Sequence, residues 1–291
     1  MSMPTNDHSS SNQSTHLYVP HRQRELGWRV WVEMAAELFQ ARELLWRLIW
    51  RDVVARYKQS MLGIFSGMIT PLAMMMVFSS LHHTKVIAHT ASTTIPYPLY
   101  AYFGLLIWQM TSTGLSRATS SLVIASNLVG KVQFPRETLV LSSLGVAVFD
   151  LCLGLPALGL LLIYYDHPLH WTVLVIPLVL VIQLILISGL GMILSVMNAA
   201  MRDIGHFLPA FLLLWMFLTP IVYHPPETPF WRLLSWINPI TALVTTARDL
   251  ALVGTIKWSI PIFTSSLISL LIGLTGWRVF HQLEPRMAER V

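Results

Sequence analysis

The chain has 291 residues, 54% of them apolar and 11% charged, with a mean hydropathy of +0.60. That is too few polar groups to coat a soluble fold, and lipid is the solvent that fits. The net charge of +5 and isoelectric point near 9.6 invite nucleic acid, but the basic residues are placed as membrane topology places them, so no nucleic-acid partner is expected.

Residues 1–36 open on a stretch rich in Ser, Thr, Asn and His, with no apolar segment behind a basic start. They read as a flexible cytoplasmic tail without a cleavable signal peptide. From about 40 to 58 the periodicity is helical: Leu45, Trp46, Ile49, Trp50, Val53 and Tyr57 form an apolar face, while Glu43, Arg47 and Arg51 align opposite. Such a helix lies in the membrane surface, its rings at headgroup depth and its basic face toward anionic lipid or a protein partner.

Crossing the hydrocarbon takes about 20 apolar residues in a helix. Six runs qualify, at about 60–81, 97–117, 138–165, 171–198, 205–223 and 257–278. The third carries Asp150, the one acid deep in a run, and the single cysteine, Cys152. Between the last two runs, about 228–253 is apolar but interrupted by Arg232, Pro239 and Arg248-Asp249, which predicts a re-entrant pair of half-helices on the outer side. Residues 282–291 form a short cytoplasmic tail. The expected fold is therefore all-α: a polytopic membrane protein with six spans, an interface helix before them and a re-entrant pair before the last. Six spans with both termini in the cytoplasm place fifteen Lys and Arg residues inside and four outside, and a seventh span would move Arg278, Arg286 and Arg290 out, against the positive-inside rule.

No energy source is visible. Gly130-Lys131 is followed by Val132 and lacks the earlier glycine of a phosphate-cradling loop. The runs also lack the carboxylate chain of an ion relay, since Asp150 stands alone. One carboxylate serves helix packing or gating as readily as ion binding. The scattered histidines have no metal-ligand spacing.

Four separated segments then resemble the type-2 ABC exporter permeases, and among them the polysaccharide and polyol-phosphate exporters. They are Arg51-Asp52 followed by Arg56-Tyr57-Lys58-Gln59-Ser60 and Leu62-Gly63, closing on Pro71; Lys131 to Glu137, containing Phe134-Pro135-Arg136; Arg202-Asp203 with Pro209, then Thr219-Pro220 and Tyr223; and Asn238-Pro239 followed by Arg248. Thr219 stands where serine is commoner in that family, and the N-terminal tail has no counterpart there. The resemblance implies a homodimer bound to two copies of an ABC ATPase subunit in the bacterial inner membrane. ATP and Mg would sit on the partner, with no cofactor or catalytic residue on this chain.

It also implies which residues receive the push of the ATPase: Arg51, Asp52, Arg56, Lys131, Phe134, Pro135, Arg136, Glu137, Arg202 and Asp203. Phe134-Pro135 suits that duty, because proline forces Phe134 out of helical geometry and can itself start the next span. Arg47, Arg51, Tyr57 and Lys58 are the expected contacts for a lipid headgroup entering beside the surface helix, with simple membrane anchoring as the alternative. Tyr100 and Trp108 share one helix face, and Phe211 and Trp215 form a similar stripe. These four rings are the candidates for a sugar-lined channel, against the alternative of packing on lipid or other helices. Gly63 with Gly67, and Gly189 with Gly191, are expected to let helices approach closely.

The function expected is the permease of an ATP-driven exporter that moves a lipid-linked polysaccharide, such as an O-antigen, outward. The alternatives are a related exporter of drug, haem or other lipid, and a membrane enzyme acting on polyprenyl-linked sugars. The enzyme would need a carboxylate or histidine cluster at a membrane face, and the outer loops offer only Asp166, Glu227 and Asp249, scattered.

Overall fold

The computed structural model describes residues 28–58, 65–84, 95–126, 134–223, 228–255 and 259–287. Among these residues every regular element is a helix: α1 (Trp28–Gln40), α2 (Arg42–Lys58), α3 (Ser66–His83), α4 (Tyr97–Ile124), α5 (Glu137–Tyr164), α6 (Ile176–Ala200, entered through a 3-10 turn at Trp171–Val175), α7 (Asp203–Leu218), α8 (Pro229–Ile237), α9 (Pro239–Leu252) and α10 (Ser259–Met287). By length and apolarity, Glu137–Tyr164, Trp171–Ala200 and Ile260–Leu283 can each cross a membrane. Asp203–Leu218 is apolar but only 16 residues long.

The long α4 is the central post, buried along most of its length and packed against α3, α5, α6 and α7. Its second half carries Gln109, Thr111, Ser112, Thr113, Ser116 and Thr119, which need partners in an apolar setting. Gln183 of α6 donates to the Thr111 hydroxyl at 2.5 Å, and Asn198 donates to the Thr119 carbonyl at 3.1 Å. The tightest seam joins α6 to α10. A Cβ on Gly189 would fall 2.3 Å from the Ile272 carbonyl, and one on Gly276 would fall 2.3 Å from the Gly189 carbonyl, so the two backbones touch. A Cβ on Gly191 would fall 2.6 Å from the Ala118 Cβ of α4. Gly63 lies outside the described residues.

Three boundaries differ from the expectation. Residues 28–36, expected within a flexible tail, are helical in α1, because apolar residues at helical spacing find partners: Met34 is 3% exposed, and Trp31 packs edge-on against Trp277 at 5.9 Å. At the other end α10 continues to Met287, through most of the expected C-terminal tail. The fifth apolar run stops being helical at Leu218, leaving 219–223 irregular.

That irregular segment explains two of the motifs. Beyond the end of α7 the carbonyls of the irregular segment have no helical partner in an apolar environment and must be satisfied by side chains. Tyr97 donates to the Val222 carbonyl at 2.9 Å, Tyr100 to the Tyr223 carbonyl at 3.2 Å, and Arg248 to the Ile221 carbonyl at 3.0 Å. Gly104 gives the segment room, since a Cβ there would sit 2.7 Å from the Ile221 oxygen. Asn238 ties the segment to the next helix pair. Its amide donates to the Thr219 hydroxyl at 2.9 Å, while its carbonyl oxygen accepts from the Trp215 indole at 3.3 Å and from the Ile240 amide that starts α9, at 3.2 Å. Two short helices, α8 and α9, occupy the stretch between the last two apolar runs, with α9 enclosed by α4, α6 and α10. Asn238→Ala removes a helix cap and leaves the Trp215 indole N–H without its acceptor, and is expected to cost about 1–3 kcal/mol. Thermal unfolding of the detergent-solubilised variant against wild type checks this.

Candidate functional site

Arg51, Asp52 and Arg56, three of the side chains expected to take up mechanical work, lie where α2 packs on the first half of α5. Leu48 and Val53 of α2 are buried, and Ile49 presses on Gly145, whose missing side chain admits it. Around this apolar contact runs a polar seam. Ser142 donates to Asp52 at 3.0 Å, and Asp52 also pairs with Arg51 at 2.8 Å. Farther along, Arg56 forms an ion pair with Asp150 at 2.8 Å, and the Tyr57 hydroxyl donates to the other oxygen of the same carboxylate. The Asp150 side chain is 1% exposed and that of Arg56 26%. Burial, and next the hydrogen bond to Asp150, push the Tyr57 phenol above its ordinary range, so it stays protonated and donates.

Asp150 therefore has a packing partner rather than an empty ion site. It is the anchor through which the end of α2 grips the middle of α5.

The corner before α5 is built differently. Phe134 is buried in a small apolar cluster with Leu48, Leu122, Leu139 and Phe280, so α2, α4, α5 and α10 meet on it. Pro135 precedes the helix, which begins at Glu137, and its carbonyl accepts from the Thr138 hydroxyl at 2.7 Å and the Thr138 amide at 3.1 Å. Glu137 is buried and lies 3.0 Å from His281 of α10. Arg136 stands at the helix cap. Lys131 lies outside the described residues. The loop into α7 is fixed by Asn198, which accepts from the Gly205 amide at 2.8 Å while holding α4. Arg202 and Asp203 are exposed at the start of α7, with Asp203 in the favourable first turn.

The residues expected to meet a headgroup divide. Arg47 pairs with Glu43 at 2.6 Å on the exposed face of α2, and Lys58 is exposed. Tyr57 turns inward to Asp150. The four candidate rings divide too. Trp108 and Trp215 pack edge-on at 6.3 Å, and Phe211 adjoins Trp215 at 5.5 Å. Tyr100 is 2% exposed, with the Arg248 guanidinium 3.6 Å from its ring centre, so it is enclosed and committed to holding 219–223.

Beside the Arg56 end of the seam, α3, α4 and α7 enclose a groove of about 380 Å³ with Trp108 on its wall and Arg56 and Arg117 at one end. No local pattern marks Ser142, Asn198 or His281, because their partners are more than 70 residues away or lie on the backbone.

The chain matches the ABC-2 type transporter family over residues 43–252. It is 29% identical over 267 residues to the O-antigen export system permease protein RfbA of Myxococcus xanthus, covering 89% of this chain and all of that protein. It is also 28% identical over 248 residues to the O-antigen export system permease protein RfbA of Klebsiella pneumoniae, covering 82% of this chain and 91% of that one. The matched region runs from α2 through α9, and so contains the α2–α5 seam, the Phe134 corner and the pinned 219–223 segment.

Proposed function

Because the chain belongs to the ABC-2 type transporter family, we propose that it is the membrane permease of an ATP-driven exporter that carries a lipid-linked polysaccharide of the O-antigen class outward across the bacterial inner membrane. The observation that carries this reading is the similarity to O-antigen export permeases along nearly the whole chain. In the working assembly two copies of the chain pair, each docked on an ATPase subunit that binds ATP and Mg. Six spans with both termini in the cytoplasm agree with the distribution of Lys and Arg.

The seam suits transmission. A subunit pressing on the surface helix moves α2, and α2 is fastened to α5 at two levels, Asp52 with Ser142 and Arg56-Tyr57 with Asp150. A push at the Phe134 corner moves α5 directly and reaches α10 through Glu137 and His281. Lys131, Arg136, Arg202 and Asp203 are the groups available to touch the partner. Trp108, Phe211 and Trp215 offer ring faces to sugar C–H groups along the path.

Deleting the gene and examining surface glycans tests the reading: the surface polymer should be lost, with lipid-linked polymer accumulating inside. An unchanged surface polymer would refute it. In the complemented strain, charge reversal at Arg47 together with Arg51 is expected to reduce surface polymer several-fold without loss of the protein from the membrane, through weakened attraction of anionic headgroups or of the partner. Quantitative blotting of polymer and of protein checks this.

A further inference from the structure

The corner between α6 and α7 consists of Met201 and Arg202 alone. The start of a helix leaves backbone amides without partners, and Arg202, at the cap of α7, has no acceptor in its side chain to offer them. The acceptor comes from the preceding helix. Asn198, near the end of α6 and 5% exposed, accepts from the Gly205 amide in the first turn of α7 at 2.8 Å. Glycine permits this approach, since a Cβ at Gly205 would itself fall 2.8 Å from the Asn198 oxygen. The nitrogen of the same side chain donates to the Thr119 carbonyl of α4 at 3.1 Å. One buried amide thus joins three helices.

The place where it holds α4 is shared. Ala118 and Leu122, on either side of Thr119, belong to the buried cluster that encloses Phe134. The Phe134 corner and the Arg202-Asp203 corner, remote from each other in sequence, therefore bear on one turn of the central post, residues 118–122. The first does so through apolar packing and the second through the Asn198 amide. Slip between α4 and α6 is also blocked there, because Ala118 lies against Gly191 with no room for a further methyl group.

We propose that Asn198 is a positioning residue for export: it locks the Arg202-Asp203 corner to the 118–122 turn of α4, so that the two cytoplasmic corners deliver their work to the central post as one movement. The inference rests on the exporter reading and deepens it. Without the tie, a displacement of α7 is absorbed at the two-residue corner instead of being passed to α4. Asparagine is suited to the position because one end of its amide accepts and the other donates, whereas a carboxylate only accepts and an apolar side chain does neither.

The test reconstitutes the full-length chain with its ATPase partner in proteoliposomes and measures polysaccharide moved per ATP hydrolysed. Asn198→Asp keeps the acceptor for Gly205 and loses the donor to Thr119. Gly205→Ala does the reverse, its methyl group driving the first turn of α7 off the amide. Asn198→Ala loses both bonds. Each variant is expected to lower the ratio about fivefold or more, while hydrolysis stays within about twofold of wild type in complexes of normal size. Ser195→Ala is the control. This buried hydroxyl, one turn earlier on α6, bonds to the Met192 carbonyl of its own helix, and its loss should leave the ratio unchanged. A side chain that only supports the fold would change yield and melting temperature and leave the ratio alone. That result in Asn198→Asp and Gly205→Ala would overturn the proposal, and Gly205→Ala decides by itself if the Asn198 variants fail to assemble. If the wild-type complex exports while the ratios are unchanged, the tie is wrong and the exporter reading stands. A wild-type complex that hydrolyses ATP and moves no polysaccharide would overturn both.

Discussion

Replacing Asp150 with alanine is expected to uncouple the exporter: ATP hydrolysis by the assembled complex persists while export falls at least tenfold. The reason is the seam. Without the carboxylate, Arg56 loses its ion pair and Tyr57 its acceptor, both next to a largely apolar groove. Stranding a buried charge costs about 3–5 kcal/mol, and less here because the Arg56 side chain keeps a quarter of its surface exposed. Asp150→Asn should fall between the two, since an amide still accepts from Tyr57. The informative control is the pair Arg56→Leu with Asp150→Leu, which removes both charges. Stability should then return toward wild type, whereas export should stay low, because α2 has lost its grip on α5. Parallel measurement of thermal stability, hydrolysis and export on wild type and the three variants checks this. If the double variant exported normally, the contact would serve stability alone.

The second large effect is expected at Gly189. Valine there drives its side chain into the Ile272 carbonyl and the Gly273 backbone, neither of which can rotate away. The α6 and α10 backbones must separate, breaking a contact that continues at Gly276, and overpacking of this kind costs about 3 kcal/mol. The variant should be recovered from the membrane in much lower amount and unfold at a lower temperature. Gly159→Val makes the control, because a Cβ there meets nothing within 4 Å. Equal recovery of the two valine variants would contradict the close approach.

How much of this was legible in the sequence depends on the range of the interaction. Periodicity is local, so it located the helix before the apolar runs and the middle of each run, while helix ends that depend on packing, such as Ile124 and Met287, lie well beyond the expected bounds. It also drew notice to Gly189 and Gly191, which the structure places at helix contacts. Asp150 was conspicuous as a lone acid in an apolar run, and whether it serves packing or an ion could not be decided there. Its partners, Arg56 and Tyr57, lie more than 90 residues earlier on another helix. The same limit hid Ser142, Asn198 and His281. The 28–36 stretch failed for another reason. Its apolar spacing is visible, but so short a helix needs Trp277 from the far end of the chain to hold it. Tyr100 carried a misleading signal: sharing a face with Trp108 suggested a channel ring, whereas the guanidinium of Arg248 and the carbonyl of Tyr223 claim it. The motif at 219–223 was read as a family signature, and its physical content, non-helical carbonyls satisfied by three side chains, appears only when the helices are assembled.

The central claim is that this chain makes no chemical energy of its own and moves its cargo on work received from a docked ATPase. Reconstitution in proteoliposomes tests it most directly, with lipid-linked polysaccharide in the outer leaflet of inside-out vesicles and its arrival in the lumen measured by protection from an added glycosidase. The account predicts protection only when the ATPase subunit and hydrolysable ATP are both present, and none with the chain alone. Protection of polysaccharide by the chain alone, or chemical conversion of the lipid-linked sugar in its presence, would contradict it.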